Sequence, residues 1–291
     1  MKFEEIPSTE ELLKLAEITE DKVLPIYEIA AKKENRHDRF PCGFDVFDKV
    51  MKGGFKDGDL VIISGISGEG KSTFAQTLTY NFCKESIPCL WFSYEVNIEE
   101  LDNKFREMGI NDFYYAYAPE KNTTGKIDWL KYKIKEGWIK YATKIVFIDH
   151  IDFLTPTDIK TRDNETVVLK KITTELKSLA IELDIIIILM AHLKKIADNK
   201  EPEMQDIGYS AGIFQLADYV FIIFRERNKQ YKSFSGNSTG DLFTNNSIIK
   251  LVKNRQTGQN KFLKIIYNQG RFMPLEEKYA NTNNDANYPH Y

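Results

Sequence analysis

Cysteine is scarce in this chain: Cys42, Cys83 and Cys89 are the only three in 291 residues. No spacing among them fits a zinc site, and an odd count argues against a disulfide framework. Reduced thiols in a cytoplasmic compartment are the expectation. Long apolar runs are also missing. The longest, Ile185 to Ala191, has seven residues, whereas a membrane helix needs roughly 18. No membrane partner is expected. Positive charge is not in excess: Lys and Arg total 40 against 43 Asp and Glu, a formal net charge of -3. That excludes a generally basic coat for nucleic acid. It leaves room for a local basic channel, since screening acts over about 8 Å at physiological salt. The first residues, MKFEEIPSTEELL, are acidic and carry no basic patch followed by an apolar stretch, so no secretory signal is read there. No internal repeat is found.

What is present suits a folded chain, at 42% hydrophobic and 29% charged residues. Its length fits one large domain or two small ones. Residues 8–35 read as helix. Ser8 with Glu11 forms a capping box ahead of Leu12, Leu13, Leu15, Ala16 and Ile18. Pro25 interrupts the pattern, and Ile26 to about Lys33 resumes it. The polar segment 34–39 reads as a linker. From Phe40 onward strands alternate with helices. Strands are read at Leu60–Ile63, Cys89–Phe92, Ile145–Ile148, Ile185–Met190, Tyr219–Phe224, Ile248–Val252 and Phe262–Tyr267, and a helix at about Lys71–Lys84. Continuous β-branched runs suit strands buried on both faces. The fold class expected is therefore α/β: a mostly parallel twisted sheet with helices on both faces. The last strands lack intervening helices, which predicts an antiparallel C-terminal edge. Residues 229–246, rich in Ser, Gly and Asn, read as a mobile loop. The organisation expected is 1–39 helical linker, 40–275 core and 276–291 disordered tail.

The strongest local signal is Gly65-Ile-Ser67-Gly68-Glu69-Gly70-Lys71-Ser72, followed by Thr73. It matches G-x-x-x-x-G-K-[ST] and stands between a strand and a helix, as phosphate binding requires. Backbone N–H groups and the helix N-terminus would cradle phosphates. Lys71 would reach the β- and γ-phosphates, and Ser72 would hold Mg²⁺. ATP and Mg²⁺ are the expected cofactors. Asp149, after the apolar Ile145-Val-Phe-Ile, is the carboxylate expected on the metal; taken alone it reads better as a strand-end turn residue. Glu95 closes the second strand, on the side where parallel sheets bind ligands. It would activate water, although on spacing alone a surface glutamate reads equally well.

The residues then resemble a known family. Gly43-Phe-Asp-Val-Phe-Asp, then Gly53-Gly54-Phe-Lys-Asp-Gly58-Asp-Leu leading into the phosphate loop, is the entry pattern of RecA-like ATPases. RadA-like and KaiC-like proteins share it. The C-terminal half resembles ring-forming replicative helicases of the DnaB type, and especially the helicase half of T7-type primase-helicases and Twinkle. The resemblance covers Phe40 to Pro274. It implies a RecA-like P-loop core and strengthens Glu95, in Phe92-Ser-Tyr-Glu95, as the catalytic carboxylate. Ile187-Ile-Leu-Met-Ala-His192 resembles the motif that senses the γ-phosphate; without the family, His192 reads as a satisfied core histidine. Arg227, in Phe224-Arg-Glu-Arg227, resembles the arginine that stacks on adenine. Tyr267 falls where an aromatic takes the other face, or else packs as an ordinary strand residue. Lys253-Asn-Arg255 resembles the segment at the ring interface. Arg255 would be the finger that reaches a neighbour's γ-phosphate, with Lys253 beside it; an exposed basic turn is the plainer reading. Such a finger is worth about 10³–10⁵ in rate.

DNA contact is implied for Lys194, Lys195 and the segment Gly208, Tyr209, Ser210. Here the sequence departs from the T7 pattern, which has Arg and Gly where Gly208 and Tyr209 stand. Tyr209 could stack on a base or pack on a neighbouring loop. The lysine pair also reads as a solvated face, with acidic Glu201, Glu203 and Asp206 close behind. The resemblance implies an ATP-dependent replicative helicase, a homo-hexamer on single-stranded DNA, with primase, polymerase or loader as further partners. No primase domain is expected ahead of the core. The N-terminal helices would dock on an adjacent subunit or on their own core. A recombination or regulatory ATPase without unwinding activity is the alternative reading.

Overall fold

The computed structural model describes residues 39–117, 126–154, 162–192, 201–203, 206, 214–227 and 243–275. These belong to a unit that starts at Arg39. Arg39–Phe40 (β1) pairs antiparallel with Phe55–Lys56 (β2) around the short helix Asp45–Val50 (α1). Arg39, at the end of the expected linker, is thus a strand residue. Its guanidinium donates to Met51 O, Gly54 O and Gln256 Oε1 at 3.1–3.3 Å.

The remaining strands are Leu60–Gly65 (β3), Cys89–Ser93 (β4), Tyr114–Tyr117 (β5), Ile145–Asp149 (β6), Ile186–His192 (β7), Tyr219–Arg227 (β8), Phe243–Asn254 (β9), Lys261–Asn268 (β10) and Arg271–Pro274 (β11). They form one nine-stranded sheet in the order β5-β4-β6-β7-β3-β8-β9-β10-β11. The six strands from β5 to β8 run parallel, and β9, β10 and β11 are added antiparallel. This is the expected α/β architecture. β9 begins at Phe243, so the last residues of the expected loop are strand; 228–242 lie outside the described residues.

Because side chains alternate across a strand, one apolar run serves two cores. Val61, Ile63 and Trp91 face one core; Leu60, Ile62, Leu90 and Phe92 face the other. Helices Lys71–Lys84 (α2) and Ile98–Glu107 (α3) cover the first face through Phe74, Leu78, Phe82, Leu101 and Phe105. Helices Lys126–Tyr141 (α4) and Arg162–Glu182 (α5) cover the second. Leu169, Ile172, Leu176 and Leu179, spaced three or four apart, put one stripe of α5 on the sheet. Both faces being covered explains the unbroken apolar strands. Cys42, Cys83 and Cys89 are buried free thiols. Among the described residues no helix is long and apolar enough to cross a membrane.

β3 is flanked by β7 and β8, whereas the next strand in the chain, β4, lies three places away. The connections therefore diverge at the carboxyl ends of β3, β4, β6 and β7, where such sheets open a crevice.

Candidate active site

Four neighbouring strand ends deliver the candidate residues. Gly65 ends β3 and pairs with His192, which ends β7. Asp149 ends β6 and pairs with Ser93, which ends β4. Beyond Ser93 the chain turns: Ser93 Oγ donates to Val96 O at 2.6 Å, and the Tyr94 N–H donates to Asp149 O at 2.9 Å. That stitch holds Glu95 beside the end of β6.

The loop from Gly65 to Gly70 wraps back over the start of α2. Gly68 adopts φ +78 with open space at its Cβ position, and Gly70 adopts φ +106. At Gly70 a Cβ would also come within 2.8 Å of the Phe272 ring, so only glycine fits. Ser67 and Gly68 form the exposed crown of the loop. Lys71 is folded inward, donating to Gly65 O at 3.0 Å and Ile66 O at 3.2 Å. Burial lowers its pKa, opposed by the nearby carboxylates of Glu95, Asp149 and Glu69. Ser72 Oγ donates to Asp149 Oδ2 at 3.3 Å. Thr73 continues α2, its carbonyl accepting from Thr77 Oγ1 at 2.8 Å.

Asp149 is 1% exposed, and its Oδ1 has no hydrogen-bond partner among the described residues. Burial and the charge of Glu95 push its pKa up to about 6. A buried carboxylate oxygen left unpaired is costly. A divalent cation beside Ser72 Oγ would satisfy it, so the residues fit Mg²⁺. The loop glycines and inward Lys71 likewise fit a nucleotide phosphate chain.

Sequence reading did not single out His150, yet the structure places it at the centre of the crevice. Its Nε2 lies 3.0 Å from Glu95 Oε1 and 2.9 Å from His192 Nε2. His192 Nε2 is 3.5 Å from the same Glu95 oxygen. Desolvation lowers the His150 pKa. The available signal was its position, directly after a strand-end carboxylate and so inside the same crevice.

The sequence profile of the DnaB-like helicase C-terminal domain matches residues 40–111 and 117–273. The chain belongs to that family. Similar proteins include a probable replicative DNA helicase of Trieres chinensis, 26% identical over 64% of this chain and 47% of that protein. The replicative DNA helicase DnaB of Pasteurella multocida is 25% identical over 71% of this chain and 51% of its own length. That of Haemophilus influenzae is 28% identical over 63% and 46%. The chain thus spans about half the length of the curated relatives it matches. Among solved structures, a DnaB-like replicative helicase described with its interactions with primase superposes with a TM-score of 0.69, at 20% identity over 92% of this chain and 71% of that one. A solved ATPase domain gives 0.66, at 19% identity over 94% of this chain and 100% of that one. The fold is the RecA-like ATPase fold.

Within this DnaB-like core, the remaining candidates fall into two groups. Tyr267 is near the phosphate loop. It pairs with Phe272 across β10 and β11, their rings 6.0 Å apart, and Phe272 rests on Gly70. The end of β8 is close as well, the Arg225 N–H donating to Glu69 Oε2 at 3.3 Å. Arg227 is the last residue of that strand; its side chain is not among those described. Arg255 and Lys253 lie at the other end of the sheet. Val61 pairs with Tyr219, which pairs with Asn254. Gly65 lies four residues beyond Val61 on β3, about 13 Å along the strand. Arg255 is 59% exposed, with Nη1 3.6 Å from Asp218 Oδ1. Lys253 turns onto the carbonyls of Phe214 and Gln215. Lys194, Lys195, Gly208, Tyr209 and Ser210 lie outside the described residues, as do 1–38 and 276–291.

Proposed function

We propose that this chain is the ATP-hydrolysing motor of a replicative DNA helicase. The observation that carries the reading is the convergence of Lys71, Ser72, Asp149, Glu95 and His192 on one crevice of a DnaB-family core. Loop N–H groups and Lys71 would bind the ATP phosphates. Ser72 and Asp149 would hold Mg²⁺, which supplies charge neutralisation on those phosphates. Glu95 would take a proton from the water that attacks the γ-phosphorus, and ADP would leave with the β–γ bridging oxygen. His192, one strand from Gly65, would register whether the γ-phosphate is present. Arg227 and Tyr267 would hold the adenine.

Arg255 stands about 13 Å along the sheet from its own phosphate loop, which favours action on a neighbouring copy. We therefore read the chain as a ring, homo-hexameric, with each ATP between two subunits. Lys194, Lys195, Gly208, Tyr209 and Ser210 would carry the motion to single-stranded DNA, bound mainly through backbone phosphates and hence salt-dependent. Primase, polymerase or loader would join such a ring in the cytoplasm of a bacterium or a phage-infected host. Unwinding of a forked duplex tests this. Wild type should separate the strands with ATP and Mg²⁺. Glu95→Gln should bind nucleotide, lose hydrolysis by about 10²–10⁴-fold and fail to unwind. ATP hydrolysis without any unwinding would favour the recombination or regulatory ATPase instead.

A further inference from the structure

Glu95, His150 and His192 do more than crowd one another. Glu95 Oε1 and the two Nε2 atoms form a triangle with edges of 2.9, 3.0 and 3.5 Å. Each of the three atoms presents a lone pair once its proton is given up. A proton on His150 Nε2 serves only the partner it points to, whereas one cation at the centre serves all three. The dimensions suit an ion. A metal about 2.1 Å from each atom, the usual distance for imidazole and carboxylate ligands, stands roughly 1 Å off their plane. Two imidazoles and one carboxylate on one face, with the remaining positions open, is a ligand set for first-row divalent metals such as zinc.

The surroundings agree. Ligating imidazoles commonly turn their second nitrogen to a carboxylate, and His150 Nδ1 lies 3.4 Å from Asp152 Oδ2. The Asp152 N–H donates to Nδ1 at 3.3 Å, which leaves the ring proton on Nε2 in the ion-free site; binding an ion through Nε2 moves that proton to Nδ1, where the Asp152 carboxylate accepts it. The His150 side chain is 7% exposed and anchored by rings, its centroid 4.9 Å from Phe153. Glu95 and His192 are 39% and 28% exposed, so the open face meets solvent. The oxygen ligands Ser72 and Asp149 make a separate, harder site suited to Mg²⁺.

We propose that Glu95, His150 and His192 form a binding site for a zinc-class transition-metal ion, distinct from the Mg²⁺ site, with Asp152 orienting His150. An ion held there occupies the Glu95 carboxylate and so withdraws the base from ATP hydrolysis. The binding stands on geometry alone; the effect on hydrolysis rests on the function proposed above.

The test uses the full chain stripped of metal. Titration with Co²⁺ should give visible d–d absorption saturating at one ion per chain, displaced by Zn²⁺ and not by excess Mg²⁺. Calorimetry with Zn²⁺ should show at least tenfold weaker binding for His150→Gln, His192→Gln and Glu95→Gln, and about tenfold weaker binding for Asp152→Asn. Circular dichroism checks that each variant folds. Should the histidine variants not fold, X-ray absorption of zinc-loaded wild type together with the shape-conserving Glu95→Gln decides. Nitrogen and oxygen neighbours near 2.0–2.1 Å are expected. Sulfur neighbours, no bound Co²⁺, or Zn²⁺ affinity unchanged in Glu95→Gln would overturn the proposal. Zn²⁺ binding without inhibition of an active ATPase would overturn only its effect on hydrolysis. Zn²⁺ binding to a chain without ATPase activity would leave the site standing and remove the functional reading.

Discussion

Asp59 lies at the start of β3 with 1% of its surface exposed, its Oδ2 accepting from the Lys56 N–H at 2.8 Å. Burial pushes its pKa up to about 6, against the pull of that hydrogen bond. Because the folded value exceeds the unfolded one, the native state holds the proton longer. Between roughly pH 4 and 6 stability therefore falls as pH rises. Asp59→Asn, which keeps an acceptor for Lys56, should stabilise the chain by about 2 kcal/mol at pH 7.5 and by little at pH 4. Denaturant unfolding at both pH values checks this. At this scale much of the candidate site was legible. Lys71 and Ser72 announce themselves through a glycine-rich motif, whereas Asp149 and Glu95 were singled out only beside that motif and through the family resemblance. His150 did not, because what matters about it is convergence with two residues at 95 and 192. Its place after Asp149 hints at the crevice, but spacing does not show that convergence.

Among the elements, β4 shows how the core is specified. Trp91 stacks on Phe147 with ring centroids 4.8 Å apart, meets the edge of Phe105, and donates its Nε1–H to Thr79 Oγ1 at 3.0 Å. One side chain thus ties β4 to β6, α2 and α3. Trp91→Ala should cost about 3–5 kcal/mol in denaturant unfolding. Thr79→Val, which leaves the indole N–H unpaired, should cost about 1–3 kcal/mol. The long apolar strands and α2 were readable to within a residue or two at most ends, since burial on both faces writes an unbroken run. β5 and β11 were not. β5 is a four-residue edge strand, Tyr-Tyr-Ala-Tyr, with no alternation to mark it. β11 follows a two-residue turn at Gln269 and Gly270, both at positive φ. That is the hairpin geometry usually written Asn-Gly, and Gln-Gly gives a fainter signal.

Across the whole molecule, the sheet sets the two halves of the proposed chemistry apart. The phosphate loop and Glu95 lie at the carboxyl ends of the parallel strands, and Arg255 lies beside their starts. If each ATP is served by two chains, two inactive variants should rescue one another. Glu95→Gln and Arg255→Ala mixed before assembly should recover hydrolysis, because some interfaces then pair an intact Glu95 with an intact Arg255. From the sequence, the expectation of assembly rests on the resemblance alone; the placement of Arg255 away from its own phosphate loop needed the fold.

The most direct measurement is ATP hydrolysis by the full chain, with and without single-stranded DNA, across protein concentration, beside Arg255→Ala. A ring motor predicts that the rate per chain rises with concentration and with DNA. It predicts that Arg255→Ala loses about 10³-fold or more while still binding nucleotide. A rate indifferent to DNA and to concentration, and unchanged in Arg255→Ala, would contradict it.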